Sequence, residues 1–231
     1  MLEQFSITQT SRALPISPAA PIRKASTFLE GIRRRLRRER RRRKVGRAFD
    51  MAMEISQYVP RYSRILDAGC GNGYIAHHLS AMLNADVTGI DLAATTEAPI
   101  DYKRFNGAHF PVREHSFDVV LLCYVLHHAQ KLEVVLAEVR RALNEGGMAV
   151  IYEDIPERWW DRLVCSIHDR KWRNRTGPCT FRTSTEWQQV FTSAGFEVTC
   201  ERELSRWRNV AHPVKRRLFV VALDQNHIKP I

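Results

Sequence analysis

Cysteine is scarce and unpaired in this chain. Cys70, Cys123, Cys165, Cys179 and Cys200 are odd in number and form no C-x-x-C pair. That argues against a disulfide framework, and reduced thiols in an intracellular chain are expected. Long apolar runs are also missing: none reaches the roughly 18 residues of a membrane span. The N-terminal region has no secretory apolar core. An organelle transit peptide is the lesser reading there, because Glu3 and scattered prolines interrupt it. No internal repeat is visible. With 231 residues, the chain is long enough for one large domain with a substantial core.

What the chain has in excess is positive charge, unevenly placed. The net charge is +11. Residues 33–44 alone contribute +9, from ten Lys/Arg and one Glu, and residues 1–32 add +1. Residues 45–155 carry −5, residues 156–217 carry +6, and residues 218–231 are neutral. A mildly acidic centre therefore lies between a basic arm and a moderately basic C-terminal third. The high pI describes the arm more than the part that holds the chemistry.

Residues 1–26, rich in Ser, Thr, Pro and Ala, read as a disordered tail. Residues 27–60 read as a basic helix, ended by Pro60. Phe28, Ile32 and Leu36 share one face of it, and Val45, Phe49, Met53 and Ile55 supply a second apolar face.

Residues 61–231 then read as one domain. The run from Arg64 to Ala68 breaks into glycines at alternate positions, Gly69, Gly71 and Gly73, followed by helical spacing through Leu79. Strand, glycine turn and helix in that order make a nucleotide cradle. Further strands are expected over 86–91, 102–105, 117–123, 148–152, 196–201 and 217–222. A helix is expected from Leu132 to Leu143, stopped by Gly146-Gly147, and another after the capping box Thr183-Ser184-Thr185-Glu186, closed by Gly195. The almost continuous apolar run Phe117–Cys123 suits a buried parallel strand. Alternating strands and helices imply an α/β, Rossmann-like, doubly wound and mostly parallel seven-stranded sheet with helices on both faces, plus the basic N-terminal helix. Residues 153–182, without a clean period and rich in Trp, Arg and His, form a substrate-side insert.

The glycine stretch alone is ambiguous. Gly71-Asn72-Gly73-Tyr74-Ile75-Ala76 also fits a G-x-G-x-x-A dinucleotide fingerprint, with Asp91 about twenty residues on. Asp67 decides against it. A carboxylate at the end of the first strand would repel a pyrophosphate and suits a cationic amine.

At this point the sequence resembles the class I S-adenosylmethionine-dependent methyltransferases, within the broad group that includes ubiquinone-biosynthesis-type enzymes. Four segments carry the resemblance in order across about residues 45–155: Ile65–Gly73, Val87–Leu92, Asn106–Asp118, and Glu138–Gly147 with its E-x-x-R-x-L-x-x-G-G pattern. The resemblance implies an enzyme that uses S-adenosyl-L-methionine. Asp67 and Gly69 would lie by the methionine part, Gly71 and Gly73 would shape the loop, and Cys70, a small packing residue by itself, counts among the cofactor-binding residues of this turn. Asp91, next to Leu92, would take the ribose hydroxyls bidentately. Asn106 and Gly107 would meet the adenine, and Cys123 would line the sulfonium side. Two departures stand out: Asn106 replaces the family's usual Asp, and the segment from Asp91 to Asn106 is short and holds Pro99. The usual helix there should be truncated and cofactor binding weakened.

Methyl transfer needs alignment above all, and a base only if the nucleophile arrives protonated. The candidate catalytic groups are His127, His128 and Glu153, with Tyr124, Asp154 and His168 nearby in the same role. Cys165-x-x-His168 with Cys179 is an incomplete ligand set, so no metal is expected. Trp159, Trp160, Trp172, Phe181 and Trp187 read as a mixture of lid core and the wall of an apolar pocket.

The first expectation for the acceptor is a small molecule or lipid. RNA or protein is the alternative, served by Arg33–Lys44, which equally suits an anionic membrane surface. A cytoplasmic protein, able to associate peripherally with membrane, is expected. The (Asp/Asn)-Pro-Pro-aromatic run of amino-methylating nucleic-acid enzymes is absent after strand four. The one Pro-Cys pair, Pro178-Cys179, lies beyond strand five. A cofactor-fold binding protein without chemistry is a third reading. The sequence leaves the oligomeric state open.

Overall fold

The structure, a computed structural model, describes residues 22–205 and 212–224. The chain divides into two compact units, Met1–Arg43 and Lys44–Ile231. Helix α1 (Ile22–Ile55) opens the described chain. Of the expected disordered tail, residues 1–21 lie outside the described residues and residues 22–26 are already helical. In the first unit Ile32, Leu36 and the whole arginine run are exposed; the side chain of Phe28 lies outside the described residues.

In the second unit the last turns of α1 bury Ala48, Ala52 and Ile55. Phe49 and Met53, expected on the buried face, are 45% and 47% exposed. The helix is rotated from the expected face because small alanines allow close approach to the core, where Ala52 and Ile55 meet Ile65 and Leu79.

The elements then alternate: β1 (Arg64–Ala68), α2 (Tyr74–Leu83), β2 (Asp86–Asp91), β3 (Asp101–Arg104), β4 (Phe117–Cys123), α3 (Leu132–Ala142), β5 (Leu143–Asp154), α4 (Trp159–Thr176), α5 (Ser184–Ser193), β6 (Phe196–Leu204) and β7 (Arg216–Leu223). They form a seven-stranded sheet in the order β3-β2-β1-β4-β5-β7-β6. Neighbours from β3 to β5 pair in parallel, and β7 runs antiparallel to both β5 and β6. The Rossmann-like, mostly parallel sheet expected from the alternation is therefore present.

Successive residues of the central strands serve opposite faces, as the pleat requires. Leu66, Val120, Leu122 and Ile151 pack with Leu136, Val139, Trp187 and Phe191 from α3 and α5. Ile65, Val119, Leu121 and Val150 pack with α2 and the end of α1. Both faces of β4 are buried, which explains its unbroken apolar run. At α5 the expected capping box forms: Glu186 accepts from the Thr183 backbone N–H at 2.7 Å, while Thr183 caps the helix start.

Two local expectations differ. Helix α3 ends at Ala142, four residues before the glycine pair, and Gly146-Gly147 fall within β5. Leu143, fully buried, pairs with Phe117 instead of continuing the helix; burial outweighs its helix propensity. Residues 159–176 of the insert, which showed no clean period, form the 18-residue helix α4. Residues 92–100, between β2 and β3, contain no helix, in keeping with the truncation read from their length.

Candidate functional site

The sheet reverses direction of winding between β1 and β4, the place where open α/β sheets bind ligands. The cofactor residues expected from the sequence lie at the ends of β1, β2 and β4 and on the turns that follow β1, β2 and β3. Gly69, Gly71 and Gly73 all adopt positive φ. The Gly69 and Cys70 N–H groups donate to Ile90 O at 2.8 and 3.1 Å, which ties the turn to β2. Asp91 completes the tie: its Oδ2 accepts from Gly71 N–H at 2.8 Å and its Oδ1 from Ala93 N–H at 3.0 Å.

Gly69 is required for two reasons. Its φ is +81°, and a Cβ there would collide with the side chain of Val125, from the turn after β4. Gly69→Ala should cost at least about 1–2 kcal/mol from the left-handed backbone alone, with further loss as Val125 yields. Urea unfolding reads the stability, and an unchanged midpoint would show that this turn does not need glycine. By contrast, a Cβ at Gly71 would meet nothing within 4 Å. Gly71 borders open space, as a loop facing a ligand should.

Asp67 is 1% exposed, and neither of its carboxylate oxygens has a hydrogen-bond partner. Burial first, then the nearby Asp91, push its pKa up to about 7, while the Ala76 N–H, close by but outside hydrogen-bond geometry, acts in the other direction. An orphaned, buried carboxylate awaits a cationic partner. The residues present thus fit a cofactor with a cationic amino-acid end and a diol.

The residues expected to meet the adenine are arranged differently. Leu92 is 49% exposed, and a Cβ on Gly107 would meet its Cδ2 at 3.3 Å, so these two adjoin. Asn106 is exposed, and its Oδ1 already accepts from Ala108 and His109 N–H, both at 3.0 Å. Its side-chain NH2 group is what remains for a ligand, whereas the family's Asp offers only acceptors. Cys123 ends β4 between Asp67 and Glu153; burial first, then these carboxylates, pushes its thiol well above the ordinary range. It stays a neutral thiol.

Beyond Cys123 the chain turns through Leu126–His128. Here a cavity of about 1140 Å³ opens, lined in part by Met51, Tyr124, Asp154, Trp160, Ile167 and Trp172. His127, His128 and His168 lie along it. Glu153, fully buried at the end of β5, accepts from Leu126 N–H at 2.8 Å and lies 2.5 Å from His127 Nδ1. Burial alone would lower the His127 pKa, but the Glu153 carboxylate reverses this and raises it. His128 and His168 are pushed down to about 4, by burial first and then by neighbouring imidazoles. Both are neutral at neutral pH.

The aromatic residues of the insert divide. Trp160 and Trp172 line the cavity, and Phe181 stacks on His127 with centroids 4.7 Å apart. Trp159 is 74% exposed, and Trp187 is fully buried in the core with Phe191. Sequence reasoning missed Arg216 and His212, which meet Asp154 at 3.1 and 2.8 Å on the cavity wall. β7 brings Arg216 opposite Asp154 by antiparallel register, and no local pattern marks such a partner. Glu54 of α1, which accepts from Tyr152 O–H at 3.3 Å beside the cavity, was likewise missed.

Residues 32–201 match a family described as a methyltransferase domain. Among curated proteins the chain is 27% identical over 121 residues to a tRNA U34 carboxymethyltransferase of Nautilia profundicola, covering 48% of this chain and 40% of that protein. It is 30% identical over 128 residues to a sterol 24-C-methyltransferase of Gibberella zeae, covering 47% and 34%. The chain thus spans two-fifths or less of the length of these relatives. Among solved structures, an S-adenosylmethionine-dependent methyltransferase of Thermotoga maritima superposes with a TM-score of 0.61 at 18% identity, covering 83% of this chain and 97% of that one. The family match takes in all four segments read from the sequence and most of the sheet, and on it the chain belongs to the class I, S-adenosylmethionine-dependent methyltransferases.

Proposed function

We propose that this chain transfers the methyl group of S-adenosylmethionine to a small-molecule or lipid-like acceptor held in the cavity beyond β4 and β5. The observation that carries the reading is the pairing of two features. A cradle with an orphaned buried carboxylate, Asp67, lies on one side of Cys123, and the large cavity begins at Tyr124 on the other. Its volume of about 1140 Å³ lies just above the roughly 300–1,000 Å³ usual for ligand pockets, which favours a bulky acceptor. Met51, Met53, Val164 and Ile167 supply apolar wall.

The roles of the cradle residues follow from their chemistry. Asp67 takes the ammonium end, and Asp91 takes the ribose hydroxyls while holding Gly71 in place. Leu92, Gly107 and the Asn106 amide border the adenine, and Cys70 and Cys123 give a neutral lining near the sulfur. When bound, the cofactor supplies a methyl group on a sulfonium, ready for in-line displacement. The protein then contributes alignment and exclusion of water, which bring most of the rate. Glu153 fixes the tautomer and orientation of His127, and with His128 this places imidazole along the acceptor's path.

Calorimetric titration with S-adenosylmethionine and with NADH tests the reading. Binding of the first and not the second is expected. NADH binding without a response to S-adenosylmethionine would overturn it.

A second acceptor class, RNA, has one observation in its favour: residues 33–44 lie on an exposed helical stretch carrying ten cations. Such a run suits phosphates, whether of RNA or of anionic lipid. Replacing the arginines of residues 33–43 with glutamine should abolish salt-sensitive binding to RNA or to phosphatidylserine vesicles. Retained binding to both would remove the arm from function.

A further inference from the structure

The three imidazoles at the cavity carry more than a choice of base. One ring nitrogen from each of His127, His128 and His168 lies within 4.8 Å of those of the other two. His127 Nδ1 faces the Glu153 carboxylate at 2.5 Å, so the ring proton sits there and Nε2 carries a lone pair. That Nε2 is buried without a hydrogen-bond partner, and so is Nε2 of His168. Leaving such buried acceptors unpaired is unfavourable. Three crowded imidazolium rings would repel one another, and three neutral rings leave lone pairs unanswered. A cation that prefers imidazole nitrogen answers them together.

The surroundings have the form of a metal's outer shell. A carboxylate orients the first imidazole through its far nitrogen, the arrangement that fixes metal-binding histidines. His128 is held at Nδ1 by Thr176 Oγ1 at 3.0 Å and Cys179 Sγ at 3.2 Å. Asp169, in turn, accepts from Cys179 N–H at 2.8 Å. Phe181 stacks on His127, and Trp172 stacks on His168 with centroids 6.1 Å apart. These rings limit both imidazole rotation and access of water.

We propose that His127, His128 and His168 bind a divalent transition-metal ion of the zinc class, with an open coordination position toward the cavity. Zinc–imidazole bonds of ~2.0–2.1 Å in a tetrahedral site place nitrogens roughly 3.4 Å apart. The nitrogens, now within 4.8 Å of one another, therefore draw together by up to about 1.4 Å on binding. Three protein ligands leave the fourth position to an exchangeable group. Resting on the methyl-transfer reading, that position selects an acceptor with an oxygen donor, a hydroxyl or carbonyl, as the group presented near the cofactor. The ligand set is not the Cys165–His168–Cys179 group suggested by sequence spacing. Cys165 is buried and stands outside the cluster. His127 and His128 come from the turn after β4 and His168 from the middle of α4, and only the fold joins them.

The test uses the full chain, stripped with a chelator. Zn²⁺ is titrated by calorimetry, Co²⁺ by visible absorption, and S-adenosylmethionine separately. One zinc per chain is expected, with cobalt bands typical of low-coordinate nitrogen ligation. His168→Ala should weaken zinc by more than a hundredfold, and Glu153→Gln by about 10–100-fold. Should His168→Ala fail to fold by circular dichroism, His128→Ala takes its place. S-adenosylmethionine binding without stoichiometric zinc or cobalt would overturn the metal site and leave the methyltransferase reading standing. Zinc binding without S-adenosylmethionine binding would do the reverse. Zinc affinity unchanged in the folded histidine variants would also overturn the site.

Discussion

Asp91→Ala is expected to abolish measurable S-adenosylmethionine binding. A carboxylate on two ribose hydroxyls makes two charge-assisted hydrogen bonds at ~1.5–3 kcal/mol each, so the loss is roughly 10²–10⁴-fold in affinity. The structure adds a second contribution. Asp91 also accepts from the N–H groups of Gly71 and Ala93, so removing it frees the glycine turn as well as the ribose contact. Asp91→Asn separates the two effects: one amide oxygen can keep a loop bond, but the paired acceptors are lost. It should fall between wild type and alanine. Calorimetry decides, and unchanged affinity in Asp91→Ala would show that the ribose is held elsewhere.

The second large effect has opposite signs on stability and binding. Asp67→Asn should stabilise the ligand-free protein above neutral pH and weaken cofactor binding. The folded-state pKa of Asp67 is raised to about 7 from an ordinary value of 3.8. A raised carboxyl contributes stability fully present below about pH 4 and lost as pH rises through about 7. Above pH 7 the buried charge costs up to ~4 kcal/mol, at 1.36 kcal/mol per pKa unit. The amide carries no charge to bury, so the variant gains that amount at pH 8 and almost none at pH 4. Comparing variant with wild type at each pH cancels the shifts of His127, His128 and His168. Urea midpoints at pH 4.5 and 8 read the difference, and equal midpoints at pH 8 would show that Asp67 is not paying this cost. Cofactor affinity in wild type should fall about tenfold per pH unit below 7, because the carboxylate must ionise to meet the ammonium. In Asp67→Asn that dependence should vanish.

Both predictions concern residues legible in the sequence, and the reason is local. Asp67, the three glycines and Asp91 sit on a strand–turn–helix and the strand beside it, where spacing alone fixes what a backbone can do. The same holds for the Thr183–Glu186 capping box and the buried run of β4. Misreadings arose where packing overrode local preference. Leu143 left its helix to pair with Phe117, α1 turned alanines instead of Phe49 and Met53 toward the core, and α4 formed without a clean period.

The sequence by itself therefore determined the mostly parallel sheet, the family and the glycine turn with its two carboxylates, because each rests on residues close in the chain or on the alternation of strands and helices. Only the tertiary structure decided what lines the cavity beyond β4. His127 meets His168 across 41 positions of numbering, Asp154 meets Arg216 through antiparallel register, and Glu54 reaches Tyr152 from a helix far upstream. Such partners share no period and no spacing. Their meeting is set by how helices and strands pack, which a one-dimensional pattern does not encode.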